Sequence, residues 1–174
     1  MRLLKDEPYH GLAMIVESPL GSLGLLENGQ ALTHLFLNGN ELPAGSEITS
    51  TPLLEEAARQ LAEYFDGRRR VFDLPLNPFG TDFQRRVWAE IIDIPYGQTI
   101  TYGEIAEAVG RPGASRAVGQ ASNRNPIAII IPCHRVIGRD GGLTGYGGGL
   151  EAKDYLLRLE DDIVCGRLRN CPDD

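Results

Sequence analysis

The chain has 174 residues, of which 42% are hydrophobic and 24% charged, and a formal net charge of −7. That length buries a core without disulfide or metal staples, and the composition excludes disordered and fibrous classes. The acidic balance excludes indiscriminate binding to nucleic acid, because phosphate contacts need Lys and Arg to displace counterions. No apolar run reaches bilayer-spanning length, and Asp6 and Glu7 interrupt the N-terminus where a signal peptide would be apolar. A cytoplasmic protein with no membrane partner is therefore expected. Cys133, Cys165 and Cys171 are an odd set with two members crowded into the tail, and no histidine lies near that pair. This spacing points to neither a disulfide framework nor a zinc site, so at least one thiol stays free and no metal is expected.

From the N-terminus, Leu12 to Val16, Leu23 to Leu26 and Leu32 to Leu37 are apolar stretches separated by Pro19-Leu20-Gly21 and Asn28-Gly29. They predict a three-stranded antiparallel sheet with tight hairpins. Leu54, Ala58, Leu61 and Phe65 then recur at helical spacing after Thr51 as N-cap and Pro52 in the first turn, so a helix packs on the sheet. Pro75 to Gly80 reads as a linker. The boundary near Asn77 divides the chain into an N-terminal sheet-plus-helix domain, 1–77, and a mostly helical C-terminal domain, 78–174, an α+β architecture within the α/β class. The first helix of the second unit is expected to bury Phe83, Val87, Trp88, Ile91 and Ile92.

Gly97 to Asn125 reads as helix, turn, helix. Thr101 caps a helix burying Ile105 and Val109, Gly110-Arg111-Pro112-Gly113 breaks it, and Ala114 to Asn123 forms the next. The second helix is built from small residues, among them Ser115, Ala117, Gly119, Ala121 and Ser122, although Gly119 costs about 1 kcal/mol against Ala in a helix interior. From Ala108 to Arg139 there are five arginines, Arg111, Arg116, Arg124, Arg135 and Arg139, and no Asp or Glu. This basic window on an acidic chain fits a DNA-binding helix-turn-helix. It fits equally two ordinary helices joined by a Gly-Pro turn.

Ile127 to Ile131 is a continuous apolar run, read as a strand buried on both faces and ended by Pro132. Cys133, His134 and Arg135 follow. A free thiol with pKa near ~8.5 is a few per cent thiolate at neutral pH, so a nucleophilic cysteine needs a base or a cation beside it. In an extended segment His134 would point away from the sulfur and reach it only through a turn or a bridging water. The alternative is a small core cysteine beside a structural histidine. The glycines Gly141-Gly142, Gly145 and Gly147-Gly148-Gly149 around Tyr146 permit close backbone approach to a ligand. The last helix buries Ala152, Tyr155, Leu156 and Leu159 and ends near Glu160. That carboxylate is either solvated surface charge or the third member of a Cys-His-Glu relay.

Pro132-Cys133-His134-Arg135-Val136 resembles the O6-alkylguanine-DNA alkyltransferases, also called methylated-DNA–protein-cysteine methyltransferases. The likeness extends over Gly80-Thr81 to Trp88, Ile94-Pro95-Tyr96-Gly97, Thr101 to Ala106, Ser115 to Gly119, Asn125-Pro126, and Gly145-Tyr146 through Lys153 to Glu160. These cover nearly all of 80–160 in the family's order and spacing, and the N-terminal region is similar more loosely. The resemblance implies a ribonuclease H-like first domain and a winged helix-turn-helix-like second domain that carries the active site. It implies direct-reversal DNA repair: one irreversible transfer of a methyl or other alkyl group from O6 of guanine, and from O4 of thymine, to Cys133 after base flipping, without a cofactor.

By the same resemblance His134 takes the thiol proton through water and is held by Glu160, Tyr102 protonates N3 of the departing guanine, and Asn125 fixes the turn before the active-site segment. Arg116 is the finger that replaces the extruded nucleotide. Ala114, Ser115, Ala117, Gly119, Gln120, Ser122, Asn123 and Arg124, with Arg135, line the DNA contact, which this family makes through the minor groove. Tyr146, Val136, Gly147 and Lys153 form the base pocket, with Gly147 standing where some relatives carry serine. The lack of an N-terminal cysteine cluster implies a stand-alone repair form, a monomer acting on double-stranded DNA with alkylated guanine. Three other readings remain at this point: a non-reactive lesion sensor, a winged-helix regulator reading the major groove as a dimer, and a cysteine hydrolase with a Cys-His-Glu triad.

Overall fold

A computed structural model of the chain describes residues 11–37, 42–143 and 145–167. The expectations for Asp6, Glu7 and Cys171 lie outside them. Three strands, β1 (Leu12–Ser18), β2 (Gly21–Glu27) and β3 (Leu32–Phe36), form the antiparallel meander. The β1–β2 hairpin closes at the Ser18–Gly21 pair, with Gly21 at φ 94°. In the β2–β3 turn Gly29 takes φ 85° and the Asn28 side chain accepts from Gln30 and Ala31 N–H. Both turns need the left-handed backbone that glycine adopts without steric cost. A two-residue strand absent from the sequence reading, β4 (Glu47–Ile48), pairs parallel to β1 and makes the order β3-β2-β1-β4.

Helix α1 (Pro52–Phe65) starts as the sequence predicts, with Thr51 accepting from Leu54 N–H. Its buried stripe is Leu54, Ala57, Leu61 and Tyr64; Ala58 and Phe65 lie half-buried at the margin, so the inward face is turned by one position from the expected one. Helix α2 (Asp82–Ile92) opens with a Thr81–Gln84 capping box and buries Val87, Trp88 and Ile91. Ile92, expected inside, is 45% exposed, because it lies about 100° around the helix from Ile91.

A short strand β5 (Ile100–Thr101) leads into α3 (Tyr102–Ala108), whose Thr101–Glu104 capping box satisfies two of the orphan N–H groups at the helix start. After the Gly110–Gly113 break comes α4 (Ser115–Asn123). Trp88 Nε1 donates to the Ala121 carbonyl at 2.9 Å and ties α4 to α2.

The run 127–131 is fully buried but is not the expected strand. Ile127 and Ala128 make isolated bridges to Leu35 and Ile131, and between them the chain turns at Ile129, which has φ 71°. A left-handed β-branched residue is strained. It is held by Ile131 N–H on the Ile127 carbonyl and by Asn125, which accepts from Ile127 N–H and donates to the Ile131 carbonyl. An apolar run satisfies burial as a strand or as a packed turn, and the Asn125 side chain selects the turn. Cys133–Arg135 is a single 3-10 turn rather than extended chain. The following β6 (Val136–Ile137) pairs parallel with β5, and α5 (Leu150–Val164) closes the fold. One continuous core runs from Leu23 and Leu25 in the sheet through Trp88 and Ile105 to Leu156. Among the described residues no helix is long and apolar enough to cross a membrane.

Candidate active site

Glu160 is the organising group. Helix α5 continues to Val164, so this carboxylate lies a turn inside the helix rather than at its end, and it is wholly buried. An isolated buried carboxylate is strongly disfavoured, and here every side of it meets a donor. Oε1 accepts from Tyr64 OH at 2.7 Å, His134 Nε2 at 2.8 Å and Arg135 Nη2 at 2.9 Å; Oε2 accepts from Arg135 Nε at 3.0 Å and Gly97 N–H at 2.9 Å. Burial pushes its pKa up, but the hydrogen bonds and charge of His134 and Arg135 outweigh that and bring it down to about 2.

His134 is wholly buried. Burial lowers its pKa against the raising effect of Glu160, so the ring is neutral at neutral pH. A carboxylate only accepts, so Nε2 carries the proton and Nδ1 the lone pair. Nδ1 is buried and has no hydrogen-bond partner among the described residues, which leaves it available as a base.

Cys133 is 3% exposed. Its Sγ accepts from Asn125 Nδ2 at 3.0 Å. Burial raises the thiol to about 11, overriding the Asn125 hydrogen bond and the charge of Lys153. The resting sulfur is a protonated thiol beside a neutral histidine, and the arginines of the basic window do not make it a thiolate. Asn125 therefore does two things at once: it closes the 125–131 turn and it touches the Cys133 sulfur.

Tyr102 opens α3 half-buried, with Lys153 Nζ 5.9 Å from its ring centroid. A Cβ on Gly119 would stand 3.8 Å from that ring, and one on Gly145 3.4 Å from its hydroxyl. Tyr102 thus lies between α4 and the glycine loop. Lys153, wholly buried, donates to the Val136 carbonyl, and burial lowers its pKa. Tyr146 is buried with its hydroxyl unpartnered among the described residues; burial first, and Cys133 second, raise its pKa well above 10. Gly147 is exposed, and a Cβ there would meet the Asn123 carbonyl at 3.0 Å, so the loop lies close against the end of α4.

On α4, Arg116, Ala117, Gln120 and Asn123 are exposed, as is Arg124 just after it; Ala114, Ser115 and Gly119 are half-buried. Two residues expected on the DNA-facing surface do not lie there. Ser122 is buried beside Ala121 on the face turned to α2, at 2% exposure. Arg135 is 5% exposed and spends its guanidinium on Glu160 and the Ile94 carbonyl, stacked at 5.4 Å over Tyr96. Its charge serves the buried carboxylate and is not available to phosphate.

Tyr64, Gly97 and Tyr96 belong to the cluster and were not among the sequence candidates. Tyr64 comes from α1, 96 residues before Glu160, and only the i, i+3, i+7, i+10 spacing of Leu54, Ala57, Leu61 and Tyr64 signals that it faces inward. Among the described residues no group of His, Cys, Asp and Glu could hold a metal ion.

The family models for the 6-O-methylguanine DNA methyltransferase ribonuclease-like domain and DNA binding domain match residues 9–78 and 82–162. The chain is 56% identical over 152 residues to the methylated-DNA–protein-cysteine methyltransferase of Methanosarcina barkeri, covering 85% of this chain and 96% of that protein. It is 51% identical over 147 residues to the Mycobacterium tuberculosis protein of the same name, covering 83% and 89%. The crystal structure of Mycobacterium tuberculosis OGT in complex with DNA superposes with a TM-score of 0.80 at 47% identity, covering 87% of this chain and 93% of that one.

Proposed function

The chain belongs to the methylated-DNA–protein-cysteine methyltransferase family, and on that premise we propose that Cys133 is the acceptor in direct reversal of O6-alkylguanine in DNA. Two contacts at adjacent residues carry this assignment: the buried Cys133 thiol accepts from half-buried Asn125, and the buried, neutral His134 is held through Nε2 by Glu160, which leaves Nδ1 without a partner among the described residues. His134 Nδ1 takes the thiol proton through a bridging water. Sγ then attacks the alkyl carbon, the C–S bond forms as the C–O6 bond breaks, and the electron pair leaves with the guanine, which Tyr102 protonates at N3. The thioether has no good leaving group, so each molecule reacts once. The hydrolase reading is disfavoured because the family to which the chain belongs is one of methyl transfer to a cysteine. The sensor reading is disfavoured because the cysteine is present.

The relative solved in complex with DNA supports DNA as the partner, and we take that DNA to be a duplex. We place Arg116 as the side chain that fills the stack when the nucleotide is extruded, with the exposed and small residues of α4, Ala114, Ser115, Ala117, Gly119, Gln120, Asn123 and Arg124, against the minor groove. Tyr146 lies against the flipped base, the Val136 carbonyl meets its exocyclic amine, the Gly147 N–H approaches O6, and Lys153 holds the Val136 carbonyl. O4-alkylthymine is a second substrate of the same pocket. The chain acts as a cytoplasmic monomer without a cofactor; a thiol acceptor requires a reducing compartment. The domain boundary near Asn77, giving 1–77 and 78–174, is supported by the break between the two matched family models.

Incubation with a duplex oligonucleotide carrying one O6-methylguanine, followed by intact mass and peptide mapping, tests the assignment. The expected result is one added methyl per protein on the Cys133 peptide, abolished in Cys133→Ala while DNA binding persists. Methyl removal by Cys133→Ala would overturn it.

A further inference from the structure

We propose that Tyr64, from α1 of the N-terminal domain, is a positioning residue for the transfer reaction: its hydroxyl holds Glu160 and thereby sets the basicity of His134. The inference rests on the reading of His134 as the base. Tyr64 OH donates to Glu160 Oε1 at 2.7 Å, the same oxygen that accepts His134 Nε2–H at 2.8 Å, and the hydroxyl lies 3.5 Å from that nitrogen. With Arg135 Nη2 at 2.9 Å, three donors share that oxygen. Each draws electron density that the others would otherwise use, so the hydroxyl weakens the pull of the carboxylate on the imidazolium and keeps His134 a weaker base.

The charged and titratable groups around His134 are Glu160 from α5, Arg135 and Cys133 from its own 3-10 turn, Lys153 from α5 and Tyr64 from α1, with Tyr96 packed edge-on against Tyr64 at 5.9 Å. Among these, Tyr64 is the neutral donor on the oxygen that faces the histidine. Burial first, and Glu160 second, push its own pKa well above 10, so it stays a donor at every working pH. The ring is fully buried between Phe65, Phe72 and Tyr96, which fixes the hydroxyl without a further partner. The first domain, remote from the nucleophile in sequence, thus reaches the base of the second.

Tyr64→Phe keeps the ring and removes the donor, while His134, Arg135 and Gly97 still satisfy Glu160. The full chain and this variant would be compared in single-turnover methyl transfer from the duplex between pH 5 and 9, and in 15N NMR titration of the His134 ring in unreacted protein. The expected result is that the acid limb of the rate profile and the His134 titration both move upward by about 1 pH unit, with the rate on the acid side falling several-fold. Superimposable profiles and titrations in the two proteins would overturn the proposal even if the melting temperature fell, and so would a variant that does not fold, since the hydroxyl would then be structural. A shifted His134 titration in protein that transfers no methyl group would support the positioning role while removing the assignment of the reaction.

Discussion

At Cys133 burial raises the thiol to about 11 and Asn125 pulls it down, so the two effects set how rarely the sulfur ionises before substrate arrives. A resting thiol is protected from adventitious oxidation and alkylation, because the thiolate is the reactive species. On the proposed mechanism, reactivity then depends on His134 taking the proton at the moment of attack. Asn125→Ala removes the hydrogen bond to Sγ and the two that the side chain makes in the 125–131 turn, leaving Ile131 N–H on the Ile127 carbonyl. Its expected effects are a further upward shift of the thiol, a fall of roughly tenfold in methyl transfer near neutral pH, and a loss of about 2 kcal/mol of stability. Iodoacetamide trapping of Cys133 across pH, with urea unfolding, measures both. Wild-type reactivity in that variant would show that the Asn125 contact does nothing for the sulfur.

Helix α4 owes its place to one packed face and its proposed use to the other. Val118, Ala121 and Ser122 turn inward, with the Ala121 carbonyl accepting from Trp88, and Arg116, Ala117 and Gln120 turn out. Gly119 is half-buried over Tyr102, where a methyl group would make ordinary van der Waals contact at 3.8 Å, so packing at Tyr102 does not demand glycine there. A surface of small side chains beside one exposed arginine suits close approach to a narrow groove with a single residue left to enter the stack. Arg116→Ala is expected to slow transfer from duplex DNA at least tenfold while leaving transfer from free O6-benzylguanine within about twofold, since only the duplex pays for extrusion. Equal losses on the two substrates would remove Arg116 from that role.

Over the whole molecule, the Glu160 cluster joins α1, the 94–97 turn, the 3-10 turn and α5 into one buried network. That makes the active site a structural joint, and its protonation a determinant of stability. Burial lowers His34 to about 4 and lowers His134 as well. A histidine depressed in the folded state contributes stability that is complete above its unfolded pKa, near 6.5, and is lost as pH falls towards the folded value. Glu160, brought down to about 2 from an unfolded value of 4.5, contributes about 3 kcal/mol that is lost between those two pH values. Stability is therefore expected to decline in two stages, first from about pH 6.5 to 4 and then below 4.5. His34→Gln should flatten part of the first stage, and Glu160→Gln the second, in urea unfolding measured across pH. A single transition set only by exposed carboxylates would contradict this.

The sequence by itself determined what local chemistry dictates. The hairpins at Gly21 and Gly29, the caps at Thr51 and Thr101, the break at Gly110–Gly113 and the order of motifs from Gly80 to Glu160 were all legible, because turns, caps and periodicity act over a few residues. Tertiary structure decided the rest. The apolar run 127–131 suited a strand or a turn until Asn125 supplied the hydrogen bonds of a turn. Arg135 read as a cation for phosphate until Glu160, 25 residues later, claimed it. Tyr64 stood outside the inward face expected of its helix, Leu54, Ala58, Leu61 and Phe65, until α5 brought a carboxylate within 2.7 Å. The physical reason is common to all three: a side chain whose partner lies far along the chain takes its role from desolvation and pairing, and neither exists before the core has formed.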